Sequence, residues 1–337
     1  LSLIVILIVT ALAFNFLNGF HDSSNIVATV ISSRALRPRV AMGMAAVAEF
    51  SAPFIFGVAV ATTIGEDIVV PGSVGMGVIM AALLSAILWN VFTWFFGIPS
   101  SSSHALIGGI IGAVEVGNGL GAIQLSGLEK VLIALFISPI IGLVAGFLLT
   151  KLIFFLARGA SPRINGFFKR SQILTAVALA LSHGTNDAQK TMGVITLGLV
   201  TTGYLTKFQV PVWVIALSST TIALGTMLGG WRLIRTLGGK FYKIRPVDGF
   251  STQLTSASVI LGAALLGGPV STTQVVSSAI MGVGSAERLN KVRWGVGSHL
   301  ALAWLLTIPA TALVAAGLYW LGGHMTLVWI AAGWTGG

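Results

Sequence analysis

From Val131 to Ala157 the chain carries a single charged side chain, Lys151. That run exceeds the ~20 apolar residues a helix needs to cross the hydrocarbon core of a bilayer. In hydrocarbon every backbone N–H and C=O must be paired within the segment, so the run has to be helical. Comparable runs recur at 1–33, 40–63, 73–96, 172–200, 211–229, 250–266 and 294–320. Charged residues make up 8% of the chain and hydrophobic ones 55%, whereas soluble domains carry about 25% charge. The fold class that follows is an all-α polytopic membrane protein. There is no cysteine, which excludes disulfides and thiolate metal sites.

The net charge of +10 would suggest a nucleic-acid partner in a soluble protein, but its placement gives another reason. Fifteen of the 19 Lys and Arg residues fall in four segments: 34–39, 158–170, 232–245 and 288–293. The alternate loops hold only Lys130 and Lys207. Basic loops stay in the cytoplasm, so these four are expected inside and no nucleic acid is implied. Ala11-Leu12-Ala13 looks like a cleavage site, yet no basic residue precedes it. Residues 1–33 are therefore read as a retained span.

Two of the spans carry polar interruptions. Residues 181–193 read L-S-H-G-T-N-D-A-Q-K-T-M-G and residues 19–28 read G-F-H-D-S-S-N-I-V-A. A charge at the centre of a spanning helix costs about 2.5–3.5 kcal/mol on insertion scales. Such residues usually face a cavity or an ion path; the plain alternative is a polar contact gluing helices together. Gly184, Thr185 and Asn186 suit a local break in the helix, and the first span is likewise expected to break in its lower half.

Following the sides from loop to loop, the first half starts outside and ends inside at Arg158, and the second starts inside at Arg170 and ends outside. The motifs repeat with the halves. Gly19 and Asp22 match Gly184 and Asp187 at an offset of 165, and P-S-S-S-S-H from Pro99 matches P-V-S-T-T-Q from Pro269 at an offset of 170. The expected organisation is a first repeat at 1–157, a cytoplasmic linker at 158–171, a second repeat of inverted topology at 172–320, and a tail at 321–337. The tail's two tryptophans suit the membrane interface. Inverted repeats with broken helices are the signature of secondary transporters. Parity leaves 73–113 and 250–284 open as pairs of full spans or re-entrant hairpins; Pro99 and Pro269 point to hairpins, because proline stops one helix and serine or threonine can start the next. Helix N-termini with hydroxyls are anion sites.

G-F-H-D-S-S-N and S-H-G-T-N-D-A-Q-K, each paired with a proline-serine/threonine element, resemble the inorganic phosphate transporter (PiT) family over roughly residues 1–320. The family's usual motif runs close to G-x-N-D-x-x-N in both copies. Here His21 replaces the first Asn of one copy, and Lys190 replaces the last Asn of the other. These departures resemble the bacterial low-affinity branch. That resemblance implies proton coupling and passage of metal–phosphate complexes, a homodimer, and alternating access. It puts the sodium coupling of other branches in doubt.

On this reading Asp22 and Asp187 are expected to hold a cation or proton beside phosphate, with His21 as helper and Glu49 as a further mid-span carboxylate. Asn25 and Asn186 can bridge cation and anion. Ser101, Ser102, Ser103, Ser271, Thr272 and Thr273 would donate to phosphate oxygens; the alternative for each is back-bonding to its own helix. Lys190 could neutralise phosphate or stand in for a bound cation. His21, His104 and His183 sit beside the motifs and can titrate near neutral pH. His299 and His324 are assigned no role. G-G-I-I-G at 108–112 reads as small-residue packing.

A serine hydrolase, suggested by S-S-S-S-H and S-H-G, would not explain a duplicated acidic motif. A passive anion channel would not need two buried carboxylates near an anion path. The expected function is a non-enzymatic, plasma-membrane importer of inorganic phosphate driven by protons or sodium, with a divalent metal accompanying phosphate as a variant. Its partners are phosphate and lipid; no cofactor is expected, and metal ligands are left unassigned.

Overall fold

The computed structural model describes residues 2–69 and 74–331. Within them the chain forms twelve α-helices: α1 Ser2–Ser32, α2 Pro38–Phe56, α3 Ala59–Thr62, α4 Met76–Phe96, α5 Ser102–Asn118, α6 Leu125–Leu156, α7 Ile164–Thr201, α8 Val212–Leu228, α9 Trp231–Gly239, α10 Pro246–Leu265, α11 Thr272–Glu287 and α12 Trp294–Ala331. Among the described residues there is no strand. Five of these helices (α1, α2, α4, α6 and α12) are long and apolar enough to cross a membrane, and α8 with α9 forms a sixth candidate bent by 70°. Large apolar side chains such as Ile140, Leu148, Leu156 and Leu313 are exposed, as expected of a surface that meets lipid.

Local sequence sets the starts. Pro38 and Pro246 open α2 and α10 at their first turns, where a missing N–H costs nothing. Ser101 and Ser271 cap α5 and α11, each satisfying an orphan amide. Glycines let helices touch. A Cβ on Gly142 or Gly146 of α6 would lie 2.9 Å from the Val275 or Ala279 carbonyl oxygen of α11. Gly108 and Gly112 of α5 meet Ile308 and Ala312 of α12 in the same way. Small residues four apart are the usual means of close helix contact in lipid.

Neighbour relations come in matched pairs. α1 packs on α8 and α2 on α7; α5 packs on α12 and α6 on α11; α4 packs on α12 and α10 on α6. One apolar core gathers Leu7, Phe14, Val78, Leu106 and Ile195, and a second gathers Ile26, Val30, Leu179, Ile260 and Ile280. On both α1 and α7 the polar motif lies between these two cores, in the middle of the helix.

The helix breaks are not where the sequence suggested. α1 and α7 run unbroken through Gly19 and Gly184. Their hydroxyls bond back along the helix: Ser23 and Ser24 donate to the carbonyls of Phe20 and His21, and Thr185 to that of Leu181. Gly184 serves packing, since a Cβ there would lie 2.6 Å from the Glu49 carbonyl oxygen of α2. The spans expected to be plain are the broken ones. α2 stops at Gly57 (φ +80°) and α8 at Gly229 (φ +64°), and each chain direction then resumes as a short helix, α3 or α9. α7 also begins inside the basic stretch expected as linker, taking in Lys169 and Arg170. α12 continues through much of the expected tail to Ala331; residues 332–337, like 70–73 of the acidic loop, lie outside the described residues.

The proline-serine elements are helix–break–helix hairpins, α4–α5 and α10–α11, with breaks at 97–101 and 266–271. Pro99, Pro269 and the residues just after each are buried. The tips meet: Ser103 Oγ donates to the Val270 carbonyl at 3.1 Å, and Gln274 Nε2 lies 3.3 Å from His104 Nε2.

Candidate functional site

Where the hairpin tips meet, the polar middles of α1 and α7 face them. Asp22 on α1 accepts from Thr273 Oγ1 at 3.1 Å, and its Oδ1 lies 2.9 Å from His21 Nδ1. Asp187 on α7 accepts from Thr272 Oγ1 at 2.7 Å. The same Thr272 oxygen lies 3.4 Å from Asp22 Oδ2, so one hydroxyl of α11 bridges the two repeated carboxylates. Lys190, one turn along α7, pairs with Asp187. It also donates to Ser103 Oγ at 2.5 Å and to the Val270 carbonyl at 3.2 Å. A single ammonium therefore touches the acidic motif and both tips. Lys190 is wholly buried, which is tolerable only because its donors are paired.

His183 is the residue whose weight the sequence did not reveal. Its Nε2 lies 2.9 Å from Asp187 Oδ2 and 3.9 Å from Asp22 Oδ2, and its Nδ1 lies 2.6 Å from Glu49 Oε1. The signal was present, because 183, 187 and 190 follow the i, i+4, i+7 spacing of one helix face. Glu49, in contrast, arrives from α2, and its reach to His183 has no local signature. Asp22, His183 and Asp187 each offer a ligand atom within 4.8 Å of the others. Two carboxylates and an imidazole suit a divalent cation such as Zn²⁺ or Mn²⁺, and equally suit shared protons.

The other expected residues divide. Asn25 Nδ2 donates to Thr273 Oγ1 at 2.9 Å and so belongs to the cluster. Asn186 points instead at the elbow of the second hairpin, donating to the Gly268 carbonyl at 3.2 Å. Ser101 and Ser271 are turned into their own helices. Ser101 Oγ accepts from the His104 amide at 3.1 Å and sits 2.7 Å from His104 Nδ1; Ser271 Oγ accepts from the Gln274 amide at 3.4 Å. Ser102 is buried beside them. His21 reaches past Asp22, its Nε2 3.5 Å from Thr93 Oγ1, which in turn shares a hydrogen bond of 2.8 Å with Ser100.

Chemically, the arrangement holds three buried carboxylates, one ammonium and three imidazoles among two helix N-termini and their hydroxyls. Like charges this close in a medium of low dielectric repel strongly, so the cluster's charge depends on the protons or ions it holds. Two N-termini, converging hydroxyls and a cation are the chemistry that binds an anion; paired carboxylates are the chemistry that binds a cation or protons. Neither Ser101 nor Ser103 is set as a nucleophile, since Ser101 caps its helix and Ser103 faces Lys190 and a carbonyl.

Residues 18–315 match the Phosphate transporter family. The chain is 45% identical over 325 residues to a Bacillus subtilis protein described as a "Probable low-affinity inorganic phosphate transporter", covering 95% of this chain and 97% of the other. It is 46% identical to a Rhizobium meliloti protein of the same description, covering 94% and 96%. Among solved structures, one titled "The sodium-dependent phosphate transporter" aligns with a TM-score of 0.88 at 24% identity, covering 95% of this chain and 99% of that one. The fold is thus shared with that protein, and by sequence the chain is a multi-pass, non-enzymatic membrane protein of the phosphate transporter family.

Proposed function

We propose that the chain imports inorganic phosphate across the plasma membrane as a secondary active transporter built from two inverted repeats. The observation that carries this reading is the convergence of the α5 and α11 N-termini on Lys190, beside the bridged pair Asp22 and Asp187. Phosphate takes the place between the tips, accepting from Ser103, Thr272, Thr273 and the Lys190 ammonium. Asn25 steadies Thr273. Ser102 lines the same approach, Asn186 steadies the elbow of the second hairpin, and Ser101 and Ser271 act by holding the helix starts in place. To admit the anion, the contact between Ser103 and the Val270 carbonyl opens.

Coupling follows from charge. Phosphate brings roughly one to two negative charges near neutral pH, into a site that already holds Asp22, Asp187 and Glu49. Lys190 supplies one positive charge, and the remainder enters with the substrate. Protons are the proposed coupling ions, taken up on Asp22 or Asp187 with His21, His183 and Glu49 sharing them. A divalent metal accompanying phosphate has a ready donor set in Asp22, His183 and Asp187. A homodimer is part of the same reading.

The test is uptake of radiolabelled phosphate by purified protein in liposomes, with pH and sodium gradients imposed separately. Concentrative uptake driven by an inward proton gradient is expected. Uptake that follows sodium and ignores pH overturns proton coupling; uptake that never exceeds equilibrium overturns active transport in favour of a channel.

A further inference from the structure

The two broken helices are tied to the site by side chains that the phosphate and cation chemistry does not use. At the α2–α3 break, Gln189 of α7 binds three backbone groups at once. Its Oε1 accepts from the Val60 amide at 2.7 Å and the Ala61 amide at 3.1 Å, and its Nε2 donates to the Gly57 carbonyl at 2.6 Å. One turn further on, α3 presses directly on α7, where a Cβ at Gly193 would lie 2.6 Å from the Ala61 carbonyl oxygen. α3 in turn sits on the elbow of the second hairpin: a Cβ at Gly267 would lie 3.2 Å from Thr63 Oγ1 and 3.5 Å from the Ala59 carbonyl oxygen.

The other half repeats the device with different residues. At the α8–α9 break, Ser23 Oγ of α1 accepts from the Gly230 amide at 2.9 Å. α9 then sits on the elbow of the first hairpin. Arg232 Nη1 donates to the Phe95 carbonyl at 2.6 Å, and Thr236 Oγ1 donates to the Gly97 carbonyl at 3.3 Å. Ser23 is the neighbour of Asp22, and Gln189 is the neighbour of Lys190. α9 bears Arg232 and Arg235 of a basic segment, whereas α3 leads into Glu66 and Asp67, so the two segments belong to opposite faces of the membrane.

We infer that α3 and α9 are the two gates of the transport cycle, and that Gln189 and Ser23 are positioning residues coupling each gate to the occupancy of the central site. This rests on the transport reading. A buried glutamine that satisfies three backbone groups has nothing to gain from substrate contact. Its place is fixed by the break it closes, since buried amides and carbonyls left unpaired are costly. Movement of α7 around Lys190 and Asp187, when phosphate separates the hairpin tips, is transmitted through Gln189 to α3 and from there to the elbow at Gly267. Ser23 does the same for α9 and Gly97.

The chain has no cysteine, so single cysteines report cleanly. Thr63, which follows α3, and Thr236, on α9, are 3% and 4% exposed. Thr63→Cys and Thr236→Cys would be labelled in proteoliposomes with a membrane-impermeant maleimide supplied on each side of the membrane in turn, with and without phosphate. In the otherwise unaltered protein, phosphate is expected to change both labelling rates. Gln189→Met is expected to raise labelling at position 63 about tenfold, the scale of losing a buried hydrogen-bonded group. It should remove the phosphate effect there and leave position 236 as it was. Ser23→Ala, the smaller change, is expected to do the reverse. Both variants should lower the maximal uptake rate more than they raise the phosphate KM. A general loss of stability would raise labelling at both positions together, and that result overturns the inference. So does labelling at either position that ignores phosphate while uptake is intact. If the parent protein takes up no phosphate at all, the transport reading fails instead, a result distinguishable from both.

Discussion

At the scale of the residue, Lys190 decides how the site is charged. It is the sole ammonium in the cluster and joins Asp187 to Ser103 and Val270. Removing one member of a buried pair costs about 3–5 kcal/mol, because the partner charge is left uncompensated. Lys190→Asn is therefore expected to lower proton-driven phosphate uptake by well over about tenfold, and added sodium should restore part of it as a cation takes the vacated position. Uptake assays with and without sodium read both effects; undiminished uptake would remove Lys190 from the site. Asp187→Asn is expected to abolish uphill uptake and keep phosphate exchange across the membrane. Loss of exchange together with uptake would make Asp187 part of the anion site. Asp22, Asp187 and Lys190 were legible in the sequence because a charge amid apolar residues carries an unavoidable cost. Gln189 was not, because an amide in such a run costs less, and its role depends on a helix break located on another segment.

At the scale of the element, the sequence misplaced the breaks for a physical reason. Glycine beside polar residues has two readings, a point where a helix opens or a point where helices touch, and only the neighbour decides. Gly19 and Gly184 face the backbones of Ile222 and Glu49, so they are contact points. Gly57 has a positive φ of +80° and no atom within 4 Å of where its Cβ would stand, so it is a point where a helix breaks. Two stability predictions separate these cases. Gly57→Ala meets no clash but forces a backbone conformation that side chains avoid, and should cost about 1–3 kcal/mol. Gly184→Leu should cost about 1–3 kcal/mol or more by overpacking, and should also push α2 away and separate Glu49 from His183. Thermal unfolding in detergent measures both; a neutral Gly184→Leu would contradict the close α2–α7 contact. Pro99 and Pro269 do fall in the helix breaks the sequence led us to expect, yet two of the six candidate hydroxyls, Ser101 and Ser271, are spent on capping. Sequence alone does not distinguish a cap from a ligand, since both need a hydroxyl at a helix start.

At the scale of the whole molecule, the apolar runs made the all-helical, multi-pass fold legible in the sequence, and the duplicated motifs marked the side chains that the fold gathers. What they could not supply is which helix of one half packs on which helix of the other. That pairing, α1 on α8 and α2 on α7, α5 on α12 and α6 on α11, is what brings the two motifs to one place. The inverted sense of the halves rests on the loop charges, and single cysteines at Arg163 and Glu66, both exposed, are expected to react with an impermeant reagent from opposite sides of the membrane. Reaction from one side would undo the inverted arrangement. The claim on which everything else depends is that both halves hold one phosphate. A structure of the protein determined with phosphate bound tests it most directly. The anion should lie between the hairpin tips, within hydrogen-bond reach of hydroxyls or amides from both 101–103 and 271–273, with the Lys190 ammonium against it. Phosphate seated on one tip and out of reach of the other would contradict the shared site.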